Sequence, residues 1–144
     1  MSSGLAGRQV VITGASRGIG LGVARGFVVA GASLTLIADD PGTVAAAQAI
    51  GARGAIADIT DPAAIDAALE HLGHIDVLVN NAGLERLTPL GEGGDEVEAV
   101  FRRIIEINII GTQLVTRRAL RKMTRGGAIV NTASIWGRVA EPLF

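Results

Sequence analysis

The chain has 144 residues, 49% of them apolar and 3% aromatic, with 20 glycines and a formal net charge of −1. This length suits one domain with a real core, and the near-neutral charge gives no support for nucleic acid as a partner. The absence of cysteine excludes disulfides, thiol chemistry and cysteine-held metal, and glycines without a strict period exclude a collagen-like chain.

The pattern along the chain alternates strands and helices. Arg8 to Thr13 reads as a first strand, and a helix follows from about Gly18 to Ala30, with Ile19, Val23 and Phe27 on one face. Gly31 caps that helix, and Ser33 to Ala38 forms a second strand. Pro41 suits the first turn of a second helix, Gly42 to Ile50. Gly54 to Ala57 is a short third strand. Asp61 and Pro62 then start a third helix with Ile65, Ala68, Leu69 and Leu72 on one stripe. Asp76 to Val79 is a fourth strand, and Leu84 to Gly94 a glycine-rich loop. A helix starts near Asp95, bends or breaks, and continues through Asn108 to about Thr124. Gly127 to Thr132 is a fifth strand, and Ser134 to Phe144 looks irregular.

This alternation implies right-handed crossovers and a parallel sheet. Apolar strands such as Val10-Val11-Ile12 and Val77-Leu78-Val79 fit a sheet covered on both faces. The expected fold is α/β, a doubly wound, Rossmann-type parallel sheet, incomplete at its C-terminal edge, in a single domain over residues 1–144. No apolar run reaches membrane-spanning length, and Met1 to Arg8 does not read as a signal peptide, so a cytoplasmic protein with no membrane partner is expected.

The residues with the clearest chemistry are Thr13-Gly14-Ala15-Ser16-Arg17-Gly18-Ile19-Gly20. A glycine turn that leaves a buried strand and opens a helix can hold a pyrophosphate on free backbone N–H groups, at the positive end of the helix dipole. The alternative is a tight turn without a ligand. Asp39, rather than Asp40, stands at the end of the second strand, about 25 residues beyond Gly14, where a carboxylate can accept both ribose hydroxyls of an adenosine. The same carboxylate would repel a 2′-phosphate, so NAD is expected in preference to NADP. Arg17 argues the other way, because its guanidinium could meet that phosphate. Asp39 could instead be a solvated turn acid or the cap of the helix at Pro41.

The eight-residue turn resembles the TGxxxGxG motif of the short-chain dehydrogenase/reductase family. Asn80-Asn81-Ala82-Gly83 is similar to that family's NNAG motif. Asn108, in Ile107-Asn108-Ile109-Ile110-Gly111, resembles its helix asparagine, and Ser134 resembles its catalytic serine. The resemblance implies hydride transfer between a nicotinamide cofactor and a small-molecule alcohol or ketone. It implies a cofactor set of Gly14, Ser16, Arg17, Gly18, Ile19, Gly20, Asp39, Asp58, Ile59, Asn80, Ala82 and Gly83. Asp58 would take the adenine amino group, or else start the following helix. Asn80 and Gly83 would lie at the switch point of the sheet. Ser134 would polarise the substrate oxygen and Asn108 would hold a water in a proton path; the alternatives are a strand-end hydroxyl and a kinked helix satisfied by its own backbone. A homodimer or homotetramer is implied for the full-length form.

His71 and His74 read as solvated residues at a helix end, without a third ligand for a metal. Arg117, Arg118, Arg121, Lys122 and Arg125 read as a solvated face at a helix C-terminus. Glu85, Arg86, Trp136 and Glu141 are the visible candidates for substrate contact. The family's acid–base tyrosine, with a lysine one helical turn later to lower its pKa, is not represented, because the chain contains no tyrosine. The expectation is therefore the N-terminal part of a longer enzyme. A non-catalytic dinucleotide-binding module, or a truncated remnant, is the alternative.

Overall fold

The computed structural model describes residues 4–89, 91 and 94–139. Five strands form one parallel sheet in the order β3-β2-β1-β4-β5. They are β1 (Gln9–Thr13), β2 (Ser33–Ala38), β3 (Arg53–Ile56), β4 (Val77–Asn80) and β5 (Ala128–Asn131). The helices are α1 (Gly18–Val29), α2 (Thr43–Gln48), α3 (Pro62–Leu69), α4 (Asp95–Ile105) and α5 (Thr112–Lys122). A π-helical turn, Glu106–Gly111, joins α4 to α5.

Side-chain alternation divides the sheet into two cores. Val11, Ile37 and Leu78 face α3 and α5, where Ile65, Leu69, Val115 and Ala119 complete a buried cluster. Val10, Ile12, Leu34, Leu36 and Val79 face the other way, against Ala24 of α1 and Ala47 of α2. Both faces of β1, β2 and β4 are thus covered, as near-continuous apolar strands require. The edge strand β5 differs: all four of its residues are exposed.

Two local readings need correction. Ile19 does not join the buried stripe of α1, which runs through Gly20 and Ala24; Ile19 is 72% exposed. The second helix starts at Thr43 rather than in the turn of Pro41, because the Asp40 carboxylate accepts the Gly42 N–H at 2.7 Å and closes a turn ahead of it. By contrast, Asp61 caps α3 as its sequence suggests, accepting from Ala63 N at 2.8 Å with Pro62 in the first turn.

The sheet reverses its winding between β1 and β4. Ligands of open parallel sheets bind in the crevice beyond the carboxyl ends of the strands at such a point. Residues 13–20, 38–40, 57–60 and 80–84 all leave the sheet at that end.

Candidate functional site: a cleft at the carboxyl ends of the strands

A cavity of about 460 Å³ lies over this switch point, lined by Gly14, Ser16, Arg17, Ile19 and Gly20 from the first turn, Asp39, Asp58 and Ile59 from the next two, and Asn81, Ala82, Gly83 and Leu84 beyond β4. Of the expected cofactor residues, only Gly18 and Asn80 do not line it. Asn108 and Ser134 also stand outside its lining.

The glycine turn has a mechanical reason. Gly14 adopts φ +63°, and a Cβ there would lie 2.7 Å from Ala82 Cα and 2.9 Å from Ala82 N. The turn and the segment after β4 can touch only because Gly14 has no side chain. Thr13 Oγ1 accepts the N–H groups of both Asn81 and Ala82 at 3.0 Å and holds that approach. Helix α1 then begins with no side-chain cap on its first turn. Its N–H groups at Gly18, Ile19 and Gly20 are a set of donors at a positive dipole end, facing the cavity through Ile19 and Gly20.

The cleft is lined by Asn81, not by Asn80 as expected. Asn80 is the last residue of β4, not the first after it, and its side chain is buried away from the cleft, 4% exposed. It donates to Thr116 Oγ1 and Asn131 Oδ1, both at 2.9 Å. Asn81, one residue on, turns to the opposite side. Its amide donates to Thr13 O at 3.2 Å and Gly14 O at 3.1 Å, and its Oδ1 accepts from Thr132 Oγ1 at 3.2 Å. One side chain thereby ties together the ends of β1, β4 and β5.

The expected bend in the long helix is the π-turn. It turns Asn108 toward the loop after β4, where its Nδ2 donates to Leu84 O at 2.9 Å and its Oδ1 accepts from Leu84 N at 2.8 Å. The amide is satisfied by the cleft loop rather than by its own helix. Close packing fixes the far end of the turn, because a Cβ on Gly111 would lie 2.8 Å from Ile59 Cγ1.

The two acidic residues after β2 divide their work. Asp40 pairs with the Arg17 guanidinium and closes the turn at Gly42. Asp39 is exposed, lines the cavity and has no side-chain partner among the described residues. The capping role open to Asp39 is not taken up: α2 has no side-chain cap, and the neighbouring Asp40 closes the turn ahead of it. Asp58 accepts from Thr60 N and Thr60 Oγ1, both at 2.8 Å, and pairs with Arg103 of α4. Burial alone would raise its pKa, but the hydrogen bonds from Thr60 and Arg103 outweigh it and hold the carboxyl below the ordinary value. Sequence reasoning missed Arg103, which lies among solvated-looking charges of α4 and far along the chain from Asp58.

Ser134 is exposed and accepts from Trp136 N at 3.3 Å at the start of a short 3₁₀ turn, Ile135–Gly137. Arg86 lines the cleft, whereas Glu85 and Trp136 do not. Residues 140–144, and Glu141 with them, lie outside the described residues, as do 90, 92 and 93 of the glycine-rich loop.

The histidines are not simply solvated. His71 Nε2 meets Thr35 Oγ1 at 3.0 Å, and burial, reinforced by Arg53 and Lys122, pushes its pKa down. His74 Nε2 lies 3.2 Å from Asp76, whose carboxylate also accepts from Gln9 N at 2.8 Å and Arg8 at 2.9 Å. In the basic face of α5, Arg118 pairs with Asp66 at 2.8 Å and Lys122 donates to Leu72 O at 2.7 Å. These contacts fasten α5 to α3 and to the segment that follows it.

A larger cavity, about 1070 Å³, follows the apolar side of α4 along Val97, Phe101, Ile105 and Ile110. The helix start it reaches, the first turn of α4, carries Asp95, Glu96 and Glu98, a negative set that repels an anion, and none of its lining among the described residues is glycine. The smaller cleft combines free helix N–H groups, an unpartnered carboxylate and an oriented second carboxylate. That set matches the phosphates, ribose and base of a dinucleotide in chemistry and order.

The similarity to known proteins agrees. The chain is 37% identical over 146 residues to galactitol 2-dehydrogenase of Agrobacterium fabrum, covering 94% of this chain and 56% of that one. L-sorbose reductase from Gluconobacter frateurii, solved with NADPH and L-sorbose, superimposes with a TM-score of 0.84 at 33% identity, covering 100% of this chain and 58% of that one. NAD⁺-bound xylitol dehydrogenase gives a TM-score of 0.88 at 28% identity, covering 97% of this chain and 58% of that one. The chain thus spans little more than half the length of these relatives. The family description "short chain dehydrogenase" matches residues 8–144, and the chain belongs to that family.

Proposed function

We propose that the cleft binds a nicotinamide dinucleotide, NAD in preference to NADP, and that the chain is the N-terminal portion of an oxidoreductase acting on a small-molecule alcohol or ketone. When bound, such a cofactor supplies a two-electron hydride carrier. The N–H groups of Gly18, Ile19 and Gly20 hold the pyrophosphate, with Ser16 and Arg17 beside them. Asp39 accepts the ribose hydroxyls, Asp58 and Ile59 meet the adenine, and Ala82 and Gly83 let the rest of the molecule lie against the backbone. Asn80 supports this set from behind rather than touching it. Ser134 polarises the substrate oxygen. Asn108 is a positioning residue: it fixes Leu84, and so the loop beside the nicotinamide half.

The observation that carries this reading is the pairing of an uncapped α1 with a free carboxylate at Asp39 across one cleft. NAD is favoured because Asp40 occupies Arg17, the one cation in the glycine turn, and leaves Asp39 to meet a bare ribose. No described helix is long and apolar enough to cross a membrane, which is compatible with a cytoplasmic setting. Phe101, Ile105, Ile109 and Ile110 are exposed on α4 and the π-turn and support a homodimer or homotetramer of the full-length protein. Isothermal titration of the wild type and Asp39→Ala tests the cofactor assignment. The variant is expected to lose about tenfold or more in NAD affinity and far less in NADP affinity; equal losses would contradict it.

A further inference from the structure

Helix α4 buries none of its own residues, yet through Arg103 it reaches Asp58 in the wall of the cleft. Among the described residues, its polar links to other elements all come from Arg103. One nitrogen of the guanidinium pairs with Asp58; another donates to Thr60 Oγ1 at 3.0 Å and to Glu106 Oε2 at 2.6 Å. Thr60 Oγ1 in turn donates to Asp58 Oδ1 at 2.8 Å, so Asp58, Thr60 and Arg103 close a ring. An ionised carboxylate has about four acceptor positions. Thr60 N, Thr60 Oγ1 and Arg103 take three of them, leaving one on a side chain that lines the cleft and is 37% exposed.

We propose that Arg103 is a positioning residue: by fixing one edge of the Asp58 carboxylate, it aims the remaining acceptor at the amino group of the adenine and so sets base recognition. This deepens, and rests on, the dinucleotide reading above. Guanidinium geometry matters here, because a planar fork reaching Asp58, Thr60 and Glu106 together fixes an orientation that a point charge does not. Without Arg103 the carboxylate keeps its charge and its Thr60 bonds but is free to turn its other oxygen.

The test compares NAD with nicotinamide hypoxanthine dinucleotide, in which an oxygen acceptor replaces the amino donor. Dissociation constants of both are measured for the wild type, Arg103→Met and Arg103→Lys. The wild type should prefer NAD by about tenfold, the weight of one hydrogen bond to a charged group. Arg103→Met should bring that preference to about one, with Arg103→Lys between. A purely structural role would lower both affinities together and leave the ratio unchanged, which would overturn the proposal. If the wild type binds NAD without preferring it, this inference fails and the dinucleotide reading stands. If the wild type binds neither compound, the dinucleotide reading fails and takes this inference with it. Should Arg103→Met not fold, Arg103→Lys decides: a ratio reduced about threefold supports the proposal, and an unchanged ratio overturns it.

Discussion

Gly14→Ala probes the closest approach in the cleft. An alanine at φ +63° enters the left-handed region at a cost of about 1–2 kcal/mol. Its Cβ must also push against Ala82 Cα and N, at 2.7 and 2.9 Å, both backbone atoms. Ala82 cannot retreat easily, because its N–H and that of Asn81 are bound to Thr13 Oγ1. Overpacking of this kind costs about 1–3 kcal/mol, so the total loss should be about 2–5 kcal/mol. At roughly 3 °C per kcal/mol for a domain of this size, the melting temperature should fall by about 6–15 °C. Gly22→Ala is the matched control: it lies inside α1 with nothing within 4 Å of the added Cβ, and should stabilise by about 0.5–1 kcal/mol. Urea unfolding followed by circular dichroism measures both variants. NAD titration of Gly14→Ala should show weakened binding as well, because the pyrophosphate turn is displaced. Unchanged stability and unchanged binding would refute the reasoning about why glycine stands at this position.

Asp40→Asn should release Arg17 while keeping the turn at Gly42; calorimetry should show NADP affinity rising several-fold relative to NAD, with stability changed by less than about 1 kcal/mol because the pair is on the surface. Asn108→Ala removes both bonds to Leu84 and should weaken NAD binding by about three- to tenfold, with faster hydrogen exchange at the Leu84 N–H as the direct readout. Asp76 is 8% exposed, and its pKa is held down first by the Gln9 N–H, then by Arg8, against the raising effect of burial. A depressed folded pKa means that its contribution is present above the unfolded carboxylate value, about 3.9, and is lost as pH falls through the lower folded value. Asp76→Asn should therefore flatten the acid limb of a stability–pH profile measured by urea unfolding; an unaltered limb would remove Asp76 from that account.

Much of this architecture was legible because local chemistry and tertiary packing agree. Asp61-Pro62 before an apolar stripe specifies the start of α3, and the alternating strands specify two buried faces. Asn80 and Asn81 show where legibility stops. A one-residue shift in the end of β4 exchanges the buried amide for the one in the cleft, and composition does not fix strand ends to one residue. Ile19 misled for a related reason: an apolar residue at helical spacing reads as core, but the first turn of α1 faces the cleft. Arg103 drew no reading, and His71 and Lys122 were read as solvated, because their partners, Asp58, Thr35 and Leu72, are distant in sequence and meet them only once the helices lie on the sheet.

The central claim is that a nicotinamide dinucleotide lies across the carboxyl ends of β1, β2 and β4 with its phosphates on the start of α1. Amide hydrogen exchange of the folded protein, with and without saturating NAD, tests it most directly. The account predicts slowed exchange at Arg17 to Gly20 and at Asp39, with little change at the opposite end of the sheet around Gly73 and His74. Exchange at Arg17 to Gly20 left unchanged by both NAD and NADP, oxidised or reduced, would contradict it.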